Sequence, residues 1–233
     1  MRRWLSVLCS VLAFLTVLPT AALAKTEDDV KPHWKEERAA KRWIQGQIRE
    51  MTPEEKVGQL FMVHVYGKTP TDPDYEELNL QQKRGGRNFK EVIEKYHIGG
   101  VIYFNWTDNI GIPLDAKQVN ALSNGLQKIA MSRRMKIPLF ISTDQEGGMV
   151  ARVAEPAAVF PGNMALGATR SVQYAGKSAE IMACELKSLG INMNLAPVLD
   201  VNVNPANPVI NVRSFSEDPE LVTRMGVAQV KGF

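Results

Sequence analysis

Four times along the chain a short apolar run gives way to an amphipathic stretch of helical period. The apolar runs are residues 60–65, 99–104, 137–143 and 191–201. The helical stretches are 88–96, 115–131, 171–189 and 216–233. Runs this short and rich in β-formers read as buried strands. Strand and helix alternating at this spacing is the pattern of βα units on a parallel sheet. It predicts an α/β fold of (β/α)8 TIM-barrel type, of which only about the first half, four βα units, lies in this chain. No glycine-rich fingerprint follows the first strand, which disfavours a dinucleotide-binding fold. Four strands of an unclosed barrel would leave two open edges, a solubility hazard.

The third unit carries the densest chemistry. Ile137-Pro138-Leu139-Phe140-Ile141-Ser142-Thr143 runs directly into Asp144-Gln145-Glu146-Gly147-Gly148. Two acids therefore stand at the C-terminal end of a strand, where α/β proteins bind ligands, and two glycines turn the chain behind them.

Local signals set the element ends. Thr52, Pro53 and Glu55 have the spacing of a capping box with proline at the first helical position. Gly190 stops the third long helix, and Ser216-Glu217-Asp218-Pro219 starts the last. Residues 67–88 read as a long loop with a helical piece near 75–82, and 160–169 read as a loop. Pro197 predicts a distorted end to the fourth strand. His64 ends the first strand and reads as structural. Trp106, after the second strand, either floors a sugar site or packs in its loop, and packing is the preferred reading.

The first 24 residues stand apart. Arg2 and Arg3 precede an apolar run, and Ala22-Leu23-Ala24 closes it, which reads as a secretory signal peptide cleaved after Ala24. The run is shorter than the roughly 20 residues a membrane span needs, so no stable membrane anchor is expected after cleavage. Residues 25–50 read as a linker and surface helix, and 51–233 as the main domain. A basic membrane-surface helix is the alternative for 25–50, diluted by Glu36, Glu37 and Glu50. The net charge of +3 drops by two with the leader, which offers no case for nucleic acid. Of two cysteines, Cys9 lies in the leader; Cys184 then has no partner for a disulfide and reads as a buried, inert thiol.

Five motifs in order carry a more specific message: Thr143-Asp144-Gln145-Glu146-Gly147-Gly148; Phe160-Pro161-Gly162-Asn163-Met164-Ala165-Leu166-Gly167-Ala168; Glu185-Leu186-Lys187-Ser188-Leu189-Gly190-Ile191-Asn192; Ala196-Pro197-Val198-Leu199-Asp200-Val201; and Asn207-Pro208-Val209-Ile210-Asn211-Val212-Arg213-Ser214-Phe215. Together they resemble the N-terminal barrel domain of family 3 glycoside hydrolases. The likeness is to the β-N-acetylglucosaminidase (β-N-acetylhexosaminidase) branch, especially secreted enzymes of Gram-positive bacteria acting on cell-wall fragments. It runs from about Met51 to Phe233.

The resemblance implies substrate-binding roles for Asp144, Arg152 and Arg213. Asp144 matches the aspartate that grips hydroxyls of the terminal N-acetylglucosamine, and an ionised carboxylate is suited to accept such bonds. Arg152 and Arg213 match pocket arginines. The alternative for each arginine is a salt bridge to a loop acid such as Asp200, Glu146 or Asp218. Glu146 and Asp200 are assigned to loop support. The family's aspartate nucleophile and its Asp–His acid/base, on a loop after the fifth strand, are expected beyond Phe233, so no catalytic residue is assigned. His33, His64 and His97 lie in the wrong contexts to substitute. The implied chemistry needs neither metal nor organic cofactor.

The expected activity is removal of terminal non-reducing β-N-acetylglucosamine from a glycan or muropeptide by a secreted or cell-wall-associated enzyme. A β-glucosidase of the same family and a non-catalytic sugar-binding half-barrel are the alternatives. A phosphate-binding lyase on a barrel would need a site made after strands seven and eight.

Overall fold

The computed structural model describes residues 34–233. The readings of residues 1–24 as a leader and of 25–33 as a linker fall outside the described residues. The chain divides into two units, residues 1–46 and 47–233. Helix α1 (Trp34–Glu50) runs across that division. It exposes Trp43, Ile44 and Ile48, and carries a Lys41–Glu37 ion pair of 3.0 Å one turn apart.

The second unit is a four-stranded parallel sheet in sequential order, β1 (Met62–Val63), β2 (Gly100–Ile102), β3 (Phe140–Thr143) and β4 (Met193–Asn194). Met62 pairs with Gly100, Val101 with Ile141, and Ser142 with Met193. Sequential parallel order with a helix in each crossover is the winding of a barrel. The crossovers hold α4 (Phe89–Tyr96), α5 (Ala116–Ser132) and α7 (Val172–Ser188), and α8 (Pro219–Gly232) follows β4.

Side-chain caps decide where the helices begin. The capping box forms at α2 (Pro53–Gly58): Thr52 Oγ1 accepts from Glu55 N and Glu55 Oε2 from Thr52 N. Asn88, Asp115, Ser171 and Asp218 cap α4, α5, α7 and α8 through their own side chains. The long loop after β1 does contain a helix, α3 (Glu76–Gln81).

The main core lies between sheet and helices, where Val101 and Ile141 meet Ile93, Leu122, Leu126 and Leu186. A second cluster joins α7 to α8 through Ala175, Leu221, Val222 and Met225, with Leu166 and Phe215. Phe140 and Met193 stand on the sheet face the helices leave open, which in a closed barrel is the interior.

Three readings are corrected. Residues 160–169 are not all loop: Asn163–Thr169 form α6, entered from Gly162. Two glycines within 162–167 mask a run of otherwise good helix formers, and Gly167 is there because a Cβ would lie 2.0 Å from Phe215 O. The fourth strand is much shorter than 191–201. It ends at Asn194, just before a cis Ala196–Pro197 peptide. Cys184 is exposed, not buried. The buried stripe of α7 is Ala175, Ala179, Met182 and Leu186, and a position two residues past Met182 falls about 200° around the helix, on the far side.

Candidate active site

The C-terminal ends of the strands form one rim, and the loop after β3 dominates it. Gly147 and Gly148 turn the chain at φ of 90° and 62°. Any side chain at Gly148 would lie 2.7 Å from the Gly162 backbone, so only glycine fits both the conformation and the space. Gln145, almost fully buried, staples the returning segment: its Oε1 accepts from Arg152 N at 2.8 Å and Val153 N at 3.0 Å, while its Nε2 donates to Val153 O. Asn194 at the end of β4 pairs reciprocally with the Gln145 backbone, 2.9 Å in each direction.

These staples bring Arg152 back beside Asp144. Arg152 Nη2 donates to Asp144 Oδ2 at 3.2 Å, with both side chains about four-fifths shielded. Arg152 Nε has no hydrogen-bond partner among the described residues. Asp144 keeps acceptor capacity, since a carboxylate offers about four lone-pair sites.

Arg213 arrives from the loop after β4. Its Nη2 donates to Glu146 Oε1 at 2.6 Å and its Nε to Glu146 Oε2 at 2.9 Å. The Glu146 hydrogen bond is the main cause raising the Arg213 pKa above its ordinary value, with Asp144 and Asp200 adding to it. Asn163 Nδ2, at the start of α6, holds the Arg213 carbonyl at 2.9 Å. Asp144, Arg152 and Arg213 thus share the β3–β4 rim, in two acid–arginine pairs. Arg213 takes the loop acid Glu146, one of the salt-bridge alternatives. Arg152 takes none of the three acids considered for it and pairs with Asp144 instead.

Sequence reasoning missed Gln145, Asn194 and Asn163. Polar residues directly at strand ends are the one signal that could have found the first two. Trp106, for which packing was the preferred reading, is 54% exposed. Trp106 stacks on Phe104 at 4.0 Å and 17°, and the Arg152 guanidinium lies 4.7 Å from its ring centre. His64 meets Phe104 edge-on at 5.7 Å, and burial lowers its pKa, with Arg84 adding to the effect. Among the described residues, no group of three or more His, Cys, Asp or Glu could hold a metal ion, and no helix is long and apolar enough to cross a membrane.

Fold and rim together define a parallel α/β barrel-type domain with its polar site at the C-terminal ends of the strands. The family model described as "Glycosyl hydrolase family 3 N terminal domain" matches residues 52–233, and the chain belongs to that family. It is 52% identical over 147 residues to Beta-hexosaminidase A of Pseudoalteromonas piscicida, covering 61% of this chain and 24% of that protein. It is 32% identical over 189 residues to a Beta-N-acetylglucosaminidase/beta-glucosidase of Cellulomonas fimi, covering 81% and 28% respectively. Among solved structures, a glycoside hydrolase family 3 β-N-acetylglucosaminidase from Paenibacillus sp. superposes with a TM-score of 0.67 at 43% identity, over 78% of this chain and 31% of that one. The chain therefore spans about a quarter of the length of these two curated relatives.

Proposed function

We propose that the protein to which this chain contributes hydrolyses terminal non-reducing β-N-acetylglucosamine residues, and that this chain supplies part of the sugar-binding rim. The observation that carries the reading is the Asp144–Arg152 pair at the end of β3. A partly shielded carboxylate, oriented by an arginine and retaining free lone pairs, accepts sugar hydroxyls by charge-assisted bonds. Arg213, locked to Glu146, walls the same rim with a planar donor fork. The names of the relatives support N-acetylglucosaminide chemistry.

The proposed reaction is retaining. An aspartate attacks to form a glycosyl-enzyme, and an Asp–His pair moves the proton on and off the leaving oxygen and water. Those groups are assigned outside this chain. Secretion, and a role in peptidoglycan turnover with a muropeptide substrate, belong to the same proposal and rest on the leader-like start and the family resemblance.

The test compares a chromogenic N-acetylglucosaminide with the matching glucoside, using the full-length protein. Selective hydrolysis of the former is expected. The double name of the Cellulomonas fimi relative favours β-glucosidase as the second reading, and a preference for glucoside would establish it. The 233-residue chain alone is expected to turn over neither, and saturable hydrolysis by it would refute the assignment of the catalytic groups elsewhere.

A further inference from the structure

Trp106 sits on a short 3-10 turn, Asn105–Thr107, at the C-terminal end of β2. Phe104 stacks on one side of the indole, the Arg152 guanidinium lies 4.7 Å from its ring centre, and in this chain more than half of the residue's surface is open.

Its mounting is rigid. Asn105 Nδ2 donates to Arg152 O at 2.9 Å and to Ile110 O at 3.1 Å, tying the Trp106 turn to the segment that carries Arg152. The buried Asn109 side chain anchors the other end, donating to Val65 O at 3.0 Å and Gly67 O at 2.8 Å. A ring held this way loses little conformational entropy when a ligand covers it.

Its location is also defined. Arg152 touches both the Trp106 ring and the Asp144 carboxylate, so a single guanidinium separates them. A pyranose has hydroxyls around its rim and C–H groups on its faces. The rim suits a carboxylate acceptor, and a C–H face suits the electron-rich face of an indole. We propose that Trp106 is the aromatic platform of the saccharide site, stacking on a face of the pyranose whose hydroxyls Asp144 accepts. The ligand class is a neutral pyranoside with an apolar face. The inference rests on the reading of Asp144 as the sugar-hydroxyl acceptor.

The test titrates the full chain with N-acetylglucosamine, its β-1,4-linked disaccharide and glucose, following tryptophan emission and binding heat. Wild type is expected to show a saturable emission change. Trp106→Phe should bind within about threefold of wild type but lose that change, and Trp106→Ala should bind about tenfold more weakly, with unchanged circular dichroism. Asp144→Ala should lose saturable binding. Wild-type affinity in Trp106→Ala, heat of binding without any change in Trp106 emission, or no binding of any of the three sugars overturns the platform. A Trp106-dependent signal with glucose and none with N-acetylglucosamine leaves the platform standing and overturns the N-acetylglucosaminide reading. Asp144→Ala binding like wild type, with the Trp106 signal intact, overturns the Asp144 role and with it the placement of the pyranose between Asp144 and Trp106.

Discussion

Arg213 holds the buried carboxylate of Glu146 with two parallel hydrogen bonds, 2.6 Å and 2.9 Å long, across 67 residues of sequence. This fork joins the loop after β3 to the loop after β4, so the shape of the rim depends on it. Glu146→Ala leaves a partly shielded guanidinium without its acid and should destabilise the fold by about 2 kcal/mol, discounted for the solvent that reaches Arg213. Glu146→Gln, which keeps an acceptor, should cost less. Urea denaturation of the two variants checks both the loss and its order.

Gly148 should tolerate no side chain. Its φ of 62° alone costs an alanine about 1–2 kcal/mol, and the Gly162 backbone 2.7 Å from the added Cβ cannot yield like a flexible side chain. Gly148→Ala is expected to lower the melting temperature and to weaken sugar binding, because the same turn sets Asp144. Gly46, inside α1 with nothing near its Cβ, is the control: Gly46→Ala should not lower the melting temperature, since alanine favours a helix interior, and should leave sugar binding unchanged.

Asn194 is expected to act on the site without touching a ligand. Its amide pairs in both directions with the Gln145 backbone. Asn194→Ala leaves that N–H and C=O without partners and should cost about 1–3 kcal/mol. Hydrogen exchange should quicken at Gln145, Arg152 and Val153, the amides of the stapled segment, while the α5 core stays protected.

Acid should act through Glu55. The Arg134 hydrogen bond, followed by the Thr52 backbone N–H, lowers its pKa below the ordinary value of 4.5. A depressed carboxylate pKa stabilises fully above the unfolded value and loses that contribution as pH falls through the folded one. The stability gap between wild type and Glu55→Gln should therefore be widest at neutral pH and shrink as pH drops below 4.5. Unfolding free energies at a series of pH values measure it. A gap that stays constant would show that the Arg134 pair contributes nothing to folding.

Local features of this fold were legible because their physics is local. A cap is a bond between residues two or three apart, so Thr52 with Glu55, Ser171 and Asp218 announced helix starts that the structure contains. The alternation of apolar runs with helical period similarly defined a parallel βα sheet. Where glycines interrupted the period, at 162 and 167, α6 went unread. Cys184 was misplaced because a helical pattern says that one face is buried before it says which residues lie on it.

For this protein the sequence alone determined the βα class, the helix caps, the turn at Gly147 and Gly148, and Asp144, Arg152 and Arg213 as candidates. Partner choice was decided only in three dimensions: Arg152 with Asp144, Arg213 with Glu146, Asn194 with Gln145, and Trp106 uncovered beside Arg152. The reason is physical. A cap or turn depends on dihedrals a few residues apart, whereas these contacts depend on which strands lie side by side and which loops meet at their ends. Only the packed sheet sets that geometry.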